Sequence, residues 1–129
     1  MWCLQFSNKL NGGNQTLEAL YLQLNSSKKT NIIVFTKNPI NTLFFIFFKS
    51  RNIPGIVSDP ICSIILCIAK RSNVIHFIQS DDIKLFPDYG KIFNFIYKNF
   101  YKFMIKNTKW FRIFNSNYSL NYFSKRFEF

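Results

Sequence analysis

The side chains able to do covalent or acid–base chemistry are few. Among 129 residues there are one histidine, three cysteines and six carboxylates, against seventeen lysines and arginines. His76 lies inside the apolar run Val74–Ile78, where a histidine is most simply a core or sheet residue. With that histidine alone, no Ser–His–Asp or Cys–His set can be assembled convincingly. Cys62 and Cys67 do not have the Cys-x-x-Cys spacing of a zinc or redox site, and Cys3 stands far from both. All three read as small apolar fillers in a reducing compartment. Asp81 and Asp82, with Asp59, could imitate a Mg²⁺ cluster, but such aspartates more often cap helices and close turns. Lys37 could meet a phosphate, yet no glycine-rich loop accompanies it. The expectation is therefore a chain without catalysis, metal, cofactor or small-molecule substrate.

What the sequence has in quantity is positive charge, formally +11. Residues 90–129 carry eight basic residues against Glu128 alone. On a helical wheel, Lys91, Lys98, Lys102, Lys106 and Lys109 fall within about 80° of arc. Ile92, Phe93, Ile96, Phe100, Phe103 and Met104 fall within about 120° on the opposite side. No carboxylate is interleaved, so no i,i+4 pair neutralises the lysine stripe. Beyond it, Trp110, Phe111, Arg112, Phe114, Tyr118, Tyr122, Phe123, Lys125 and Arg126 continue the basic and aromatic mixture without clear periodicity. Such a mixture suits a phosphate-rich polymer with stackable bases. The candidate contacts are Lys98, Lys102, Lys106, Lys109, Arg112, Lys125 and Arg126.

The elements that must position these residues follow from caps and apolar runs. Gly12 and Gly13 suggest a turn, after which Thr16 caps a short helix, Leu17–Asn25. Ile32–Phe35 reads as a buried strand. Asn38-Pro39 supplies a cap and a proline at the first helical position, opening a helix to about Arg51. The unit repeats: a strand at Ile53–Val57, a cap and proline at Asp59-Pro60, and a helix Ile61–Arg71 whose last turn holds Lys70 and Arg71. Val74–Ile78 is a third strand, and a long helix runs from Pro87-Asp88 to about Lys106. Strand–helix alternation with short connections implies a small open parallel α/β sheet of the Rossmann/flavodoxin-like kind, with about three strands and flanking helices. Residues 1–106 form that domain, and 107–129 a basic aromatic C-terminal extension.

More than half the chain is Phe, Ile, Asn, Lys or Tyr, the residues of A+T-rich codons. This bias, with no import or secretory signal at the N-terminus, leans toward an organelle-resident gene, most simply mitochondrial. No uncharged apolar stretch reaches the 18 residues or so of a membrane span, so a membrane location is not expected. Leu43–Phe48 and the aromatic, basic tail leave one alternative, a membrane-adjacent accessory subunit of an organellar respiratory complex.

The order of segments resembles the C-terminal part of the small-subunit ribosomal protein S2 family. Lys9-Leu10-Asn11-Gly12-Gly13-Asn14-Gln15-Thr16 is similar to that family's glycine turn, and Asn31-Ile32-Ile33-Val34-Phe35 to the strand that follows. Asn52-Ile53-Pro54-Gly55-Ile56-Val57-Ser58-Asp59 is similar to its Ile-Pro strand ending near an aspartate. Val74–Ile78 with Ser80-Asp81-Asp82 is similar to the strand and acidic turn before its last helix. Ile78 and Ser80 depart from the proline and asparagine usual there, and the family's N-terminal strands have no counterpart. The resemblance implies a structural constituent of the mitochondrial small ribosomal subunit, located in the matrix. It would bind rRNA and neighbouring ribosomal proteins, with a separate chain completing the sheet.

Overall fold

The computed structural model describes residues 1–5, 12–27, 34–78 and 90–127. Strands and helices alternate along them: β1 (Trp2–Leu4), α1 (Gly12–Ser26), β2 (Val34–Thr36), α2 (Pro39–Phe48), β3 (Gly55–Val57), α3 (Pro60–Ile68), β4 (Val74–Ile78), α4 (Lys91–Asn107), β5 (Phe111–Phe114) and α5 (Asn117–Phe127). All strand pairs are parallel, in the order β2-β1-β3-β4-β5. That is the flavodoxin-like order of an open α/β sheet. The expected class holds, with five strands in place of about three.

Two helices start where the sequence says they should. The Asn38 side chain accepts from the backbone N–H groups of Ile40 and Asn41, with Pro39 at the first position of α2. Asp59 does the same for Ile61 and Cys62 ahead of α3. These bonds satisfy donors that a helix start leaves without intrahelical partners. Both helices end sooner than expected, at Phe48 and Ile68 rather than at Arg51 and Arg71. α3 stops at Ile68 because Lys70 takes a left-handed φ of 55°, and Lys70 N–H and Arg71 N–H then bond back to Cys67 and Leu66 carbonyls. Lys70 and Arg71 therefore lie past the helix rather than in its last turn. α1 begins earlier than expected: Gly12 and Gly13 are helical, and Thr16 is inside the helix rather than its cap.

β1 is an interior strand, between β2 and β3, and has no counterpart among the expected strands. Its Trp2 indole lies flat on Gly55, where an added Cβ would meet the ring at 1.8 Å, and its N–H donates to the Ile53 carbonyl at 2.6 Å. The described part of the expected C-terminal extension, residues 107–127, joins the sheet: β5 pairs with β4 through Ile75–Phe111 to Ile78–Phe114, and α5 follows it.

The strand alternation sorts side chains onto two faces. On one, Trp2, Leu4, Val57, Val74 and Ile78 meet Phe45 and Ile46 of α2, Cys62 and Leu66 of α3, and Tyr97, Tyr101, Met104 and Ile105 of α4. α5 joins this layer, with the Phe123 ring 6.2 Å from Tyr101 and 5.6 Å from Phe114. On the other face, Cys3 and Ile56 meet α1 through Leu17, with Leu20, Tyr21 and Leu24 packed around them. Among the described residues α1 is the only helix in that cluster, and Phe111 and Ile113 of β5 stay exposed there.

Candidate nucleic-acid interface

In open α/β sheets ligands bind outside the carboxyl ends of the strands. Here the described groups at that end are engaged by the fold. Thr42 Oγ1 donates to the Gln5 carbonyl at 2.6 Å and lies 2.8 Å from Thr36 Oγ1, while Gln5 N–H donates to the Thr36 carbonyl at 3.0 Å. Gln5, Thr36 and Thr42 are all buried. Lys37, the one candidate phosphate group there, pairs with Glu18 and sits 5.2 Å from the Phe35 ring centroid. Asp59 caps α3, and Asp81 and Asp82 lie outside the described residues, as does the expected helix start at Pro87-Asp88. No group of three or more metal-ligating side chains is found among the described residues.

The thiols and the imidazole behave as core groups. Burial pushes the Cys3 thiol up to about 11 and raises Cys62 and Cys67, which keeps them protonated and poorly nucleophilic. His76 is fully buried, edge-on to Tyr101 and Trp110 at 6.3 and 6.1 Å, and neither ring nitrogen has a hydrogen-bond partner. Burial, and secondarily the Arg112 charge, lower its pKa to about 3. It is a neutral packing residue at any ordinary pH.

The charged surface is built by α4. Lys91, Lys98, Lys102 and Lys106 are all exposed, and none forms an ion pair with a described residue. Lys98, Lys102 and Lys106 stand one helical turn apart, about 6 Å along the axis, where like charges repel. An anionic polymer laid along the helix relieves that repulsion. Lys109 is exposed just beyond the helix, and Lys125 is exposed on α5, in the same layer. The Arg126 side chain lies outside the described residues.

Arg112 does not belong to this surface. Its Nη2 donates to the Ile105 and Thr108 carbonyls and to Thr108 Oγ1 at 3.0, 3.2 and 2.8 Å, closing the C-terminus of α4. Arg71 plays the same part for α2, donating to the Ile46 and Phe47 carbonyls and to Ser50 Oγ. A guanidinium fork suits several converging carbonyls better than an ammonium does. These two arginines hold helix ends, and the lysines are left for the surface.

The apolar arc that periodicity picks out is not the arc that packs. Tyr97, Tyr101, Met104 and Ile105 face the core, whereas Ile92, Phe93, Ile96, Phe100 and Phe103 are 46–78% exposed. On a wheel of about 100° per residue, α4 thus has three faces: the packed one, an exposed Phe/Ile arc beside it, and the lysine side. Lys91, Lys98 and Lys102 point well away from the Phe/Ile arc, and Lys106 borders it. α2 and α3 add Ile40, Phe44, Phe47, Phe48 and Ile68 to the exposed apolar surface of the same layer.

Fold and site together define an open α/β domain with an acid-free lysine helix and no assembled catalytic set among its described residues. Comparison with protein-family models, with curated proteins and with solved structures gives no significant match in any of the three.

Proposed function

We propose that this chain is a divergent, S2-like structural constituent of a mitochondrial small ribosomal subunit, binding rRNA and neighbouring ribosomal proteins without catalysing a reaction. The observation that carries the reading is the lysine side of α4: exposed, unrelieved by any carboxylate on the helix, and mounted on a domain whose described strand-end polar groups are already bonded. The order of segments supports it too. β2, β3 directly after Ile53-Pro54 with Asp59 at the following cap, β4 and the long helix α4 succeed one another in the order of that family's segments. With five strands in one sheet, the domain has less need of a second chain to complete it.

Phosphate contacts are assigned to Lys98, Lys102, Lys106, Lys109 and Lys125, with Arg112 reassigned to the α4 terminus. The test is sedimentation of a detergent lysate of the source organelle on a sucrose gradient, with and without RNase, following the chain by mass spectrometry. Comigration with the small subunit that RNase abolishes is the expected result. Migration with a respiratory complex, indifferent to RNase, overturns the reading.

A further inference from the structure

We infer that the outer face of the α2–α3–α4 layer docks on an anionic lipid surface. α2 contacts α3 and α3 contacts α4, so their outer sides form one continuous face. Phe44, Phe47, Ile68, Phe93, Phe100 and Phe103 on that face are 46–60% exposed. At ~200 Å² for a large apolar side chain, these six leave roughly 600 Å² uncovered and Ile40, Phe48, Ile92 and Ile96 of the same helices add roughly 500 Å², against 300–600 Å² for the largest patch of an ordinary monomer.

Three observations choose the occupant. The first is charge: α2, α3 and α4 contain no acidic residue, and Lys49, Lys70 and Lys106 stand exposed at or just past their C-terminal ends. In a parallel sheet these ends share one edge of the layer, so an apolar centre is bordered by cations. Lys49 already leans over the Phe44 ring, 6.0 Å from its centroid. A second copy packed with its helices parallel would set this border against itself.

The second is the lack of directional groups. Asn99 and Asn107 of α4 turn their amides back onto the Phe95 and Phe103 carbonyls of their own helix. A protein interface of this size makes about one hydrogen bond per 100–200 Å², and little on this face could supply them. The third is that the border consists of lysines, point charges on flexible stems that reach headgroup phosphates while their methylenes lie along the apolar surface. Phenylalanine and isoleucine beneath a lysine border is the composition of an interfacial helix lying in the membrane plane. No helix among the described residues is long and apolar enough to cross a membrane, so the contact is peripheral.

The inference goes beyond the ribosomal reading, and Lys106, on the boundary of the Phe/Ile arc, is the one residue the two surfaces share. Lys91, Lys98 and Lys102 point away from the lipid face and stay available to RNA.

Flotation of the full chain with phosphatidylcholine vesicles, with and without about one third phosphatidylglycerol, tests it. The wild-type chain should float with the anionic vesicles and much less with the neutral ones. The triple change Phe47→Gln, Phe100→Gln and Phe103→Gln, all at exposed positions, should weaken that binding at least about tenfold. Its circular dichroism and RNA binding should stay unchanged. Lys49→Gln with Lys70→Gln and Lys106→Gln should weaken it several-fold and flatten its salt dependence. A wild-type chain that does not float, or floats equally well with the Phe triple change, overturns the inference. So does a stable dimer in buffer that this change dissociates, since the face then belongs to a second copy. Loss of RNA binding by Lys98→Gln and Lys102→Gln, with flotation intact, would separate the two surfaces.

Discussion

The two faces of the sheet are unequally furnished. Four helices lie over one, and the core there runs from Trp2 on the interior strand β1 to Phe123 of α5. Over the other, α1 alone packs among the described residues, around Cys3, Leu17 and Ile56. An all-parallel sheet normally has both faces covered; among the described residues the buried packing is concentrated on one side. The same crowded side carries the lysines and the exposed Phe/Ile arc, which places structure and surface chemistry in one layer.

Truncating matched leucines on the two faces measures the inequality. Leu66→Ala on the crowded side should cost about 4 kcal/mol, because the surrounding helices hold the cavity open. Leu17→Ala on the sparse side should cost about 2 kcal/mol, since α1 has room to settle. Urea unfolding of both variants decides this, and equal losses would mean that the faces share the load. Between the two falls Gly55→Ala, which drives a methyl group into the Trp2 ring and should cost about 3 kcal/mol by the same measurement.

A pH series sharpens the comparison further. His76 belongs to the crowded side, and its pKa falls from 6.5 to about 3 on folding. Between those values the unfolded chain binds the proton and the folded one does not, so stability declines as the pH drops below about 6.5. The loss approaches 1.4 kcal/mol per pH unit, or about 2 kcal/mol by pH 5. In His76→Leu that part of the acid limb should disappear, seen as a smaller drop in Tm between pH 7 and pH 5. An acid limb identical to the wild type's would remove His76 from the account.

How much of this was legible in the sequence depends on whether local chemistry or packing set each feature. The starts of α2 and α3 were readable because Asn38-Pro39 and Asp59-Pro60 act within a few residues. β4 was readable in full, as a five-residue apolar run. β1 and β5 were not: three and four residues long, they are defined by the strands beside them. The exposed lysines of α4 were legible, since charge without a partner stays in water. Its packed face was not, because nearly every other position of that helix is apolar. Periodicity favours the Phe/Ile arc, while the fold seats Tyr101 against His76 and Phe123, with Tyr97 stacked on Tyr101. The role of Arg112 was misjudged for a related reason: composition counts charges, and three carbonyl and hydroxyl oxygens seven or fewer residues away claim this one.

The central claim is that the α4 lysines contact RNA phosphates, and the salt dependence of RNA binding tests it most directly. The affinity of the full chain for a structured RNA should fall steeply as salt rises. Lys98→Gln with Lys102→Gln should reduce the slope of log affinity against log salt by about 1 per lysine, and Arg112→Gln should leave it unchanged. A slope that ignores the two lysines would contradict the claim and move the RNA contact elsewhere on the molecule.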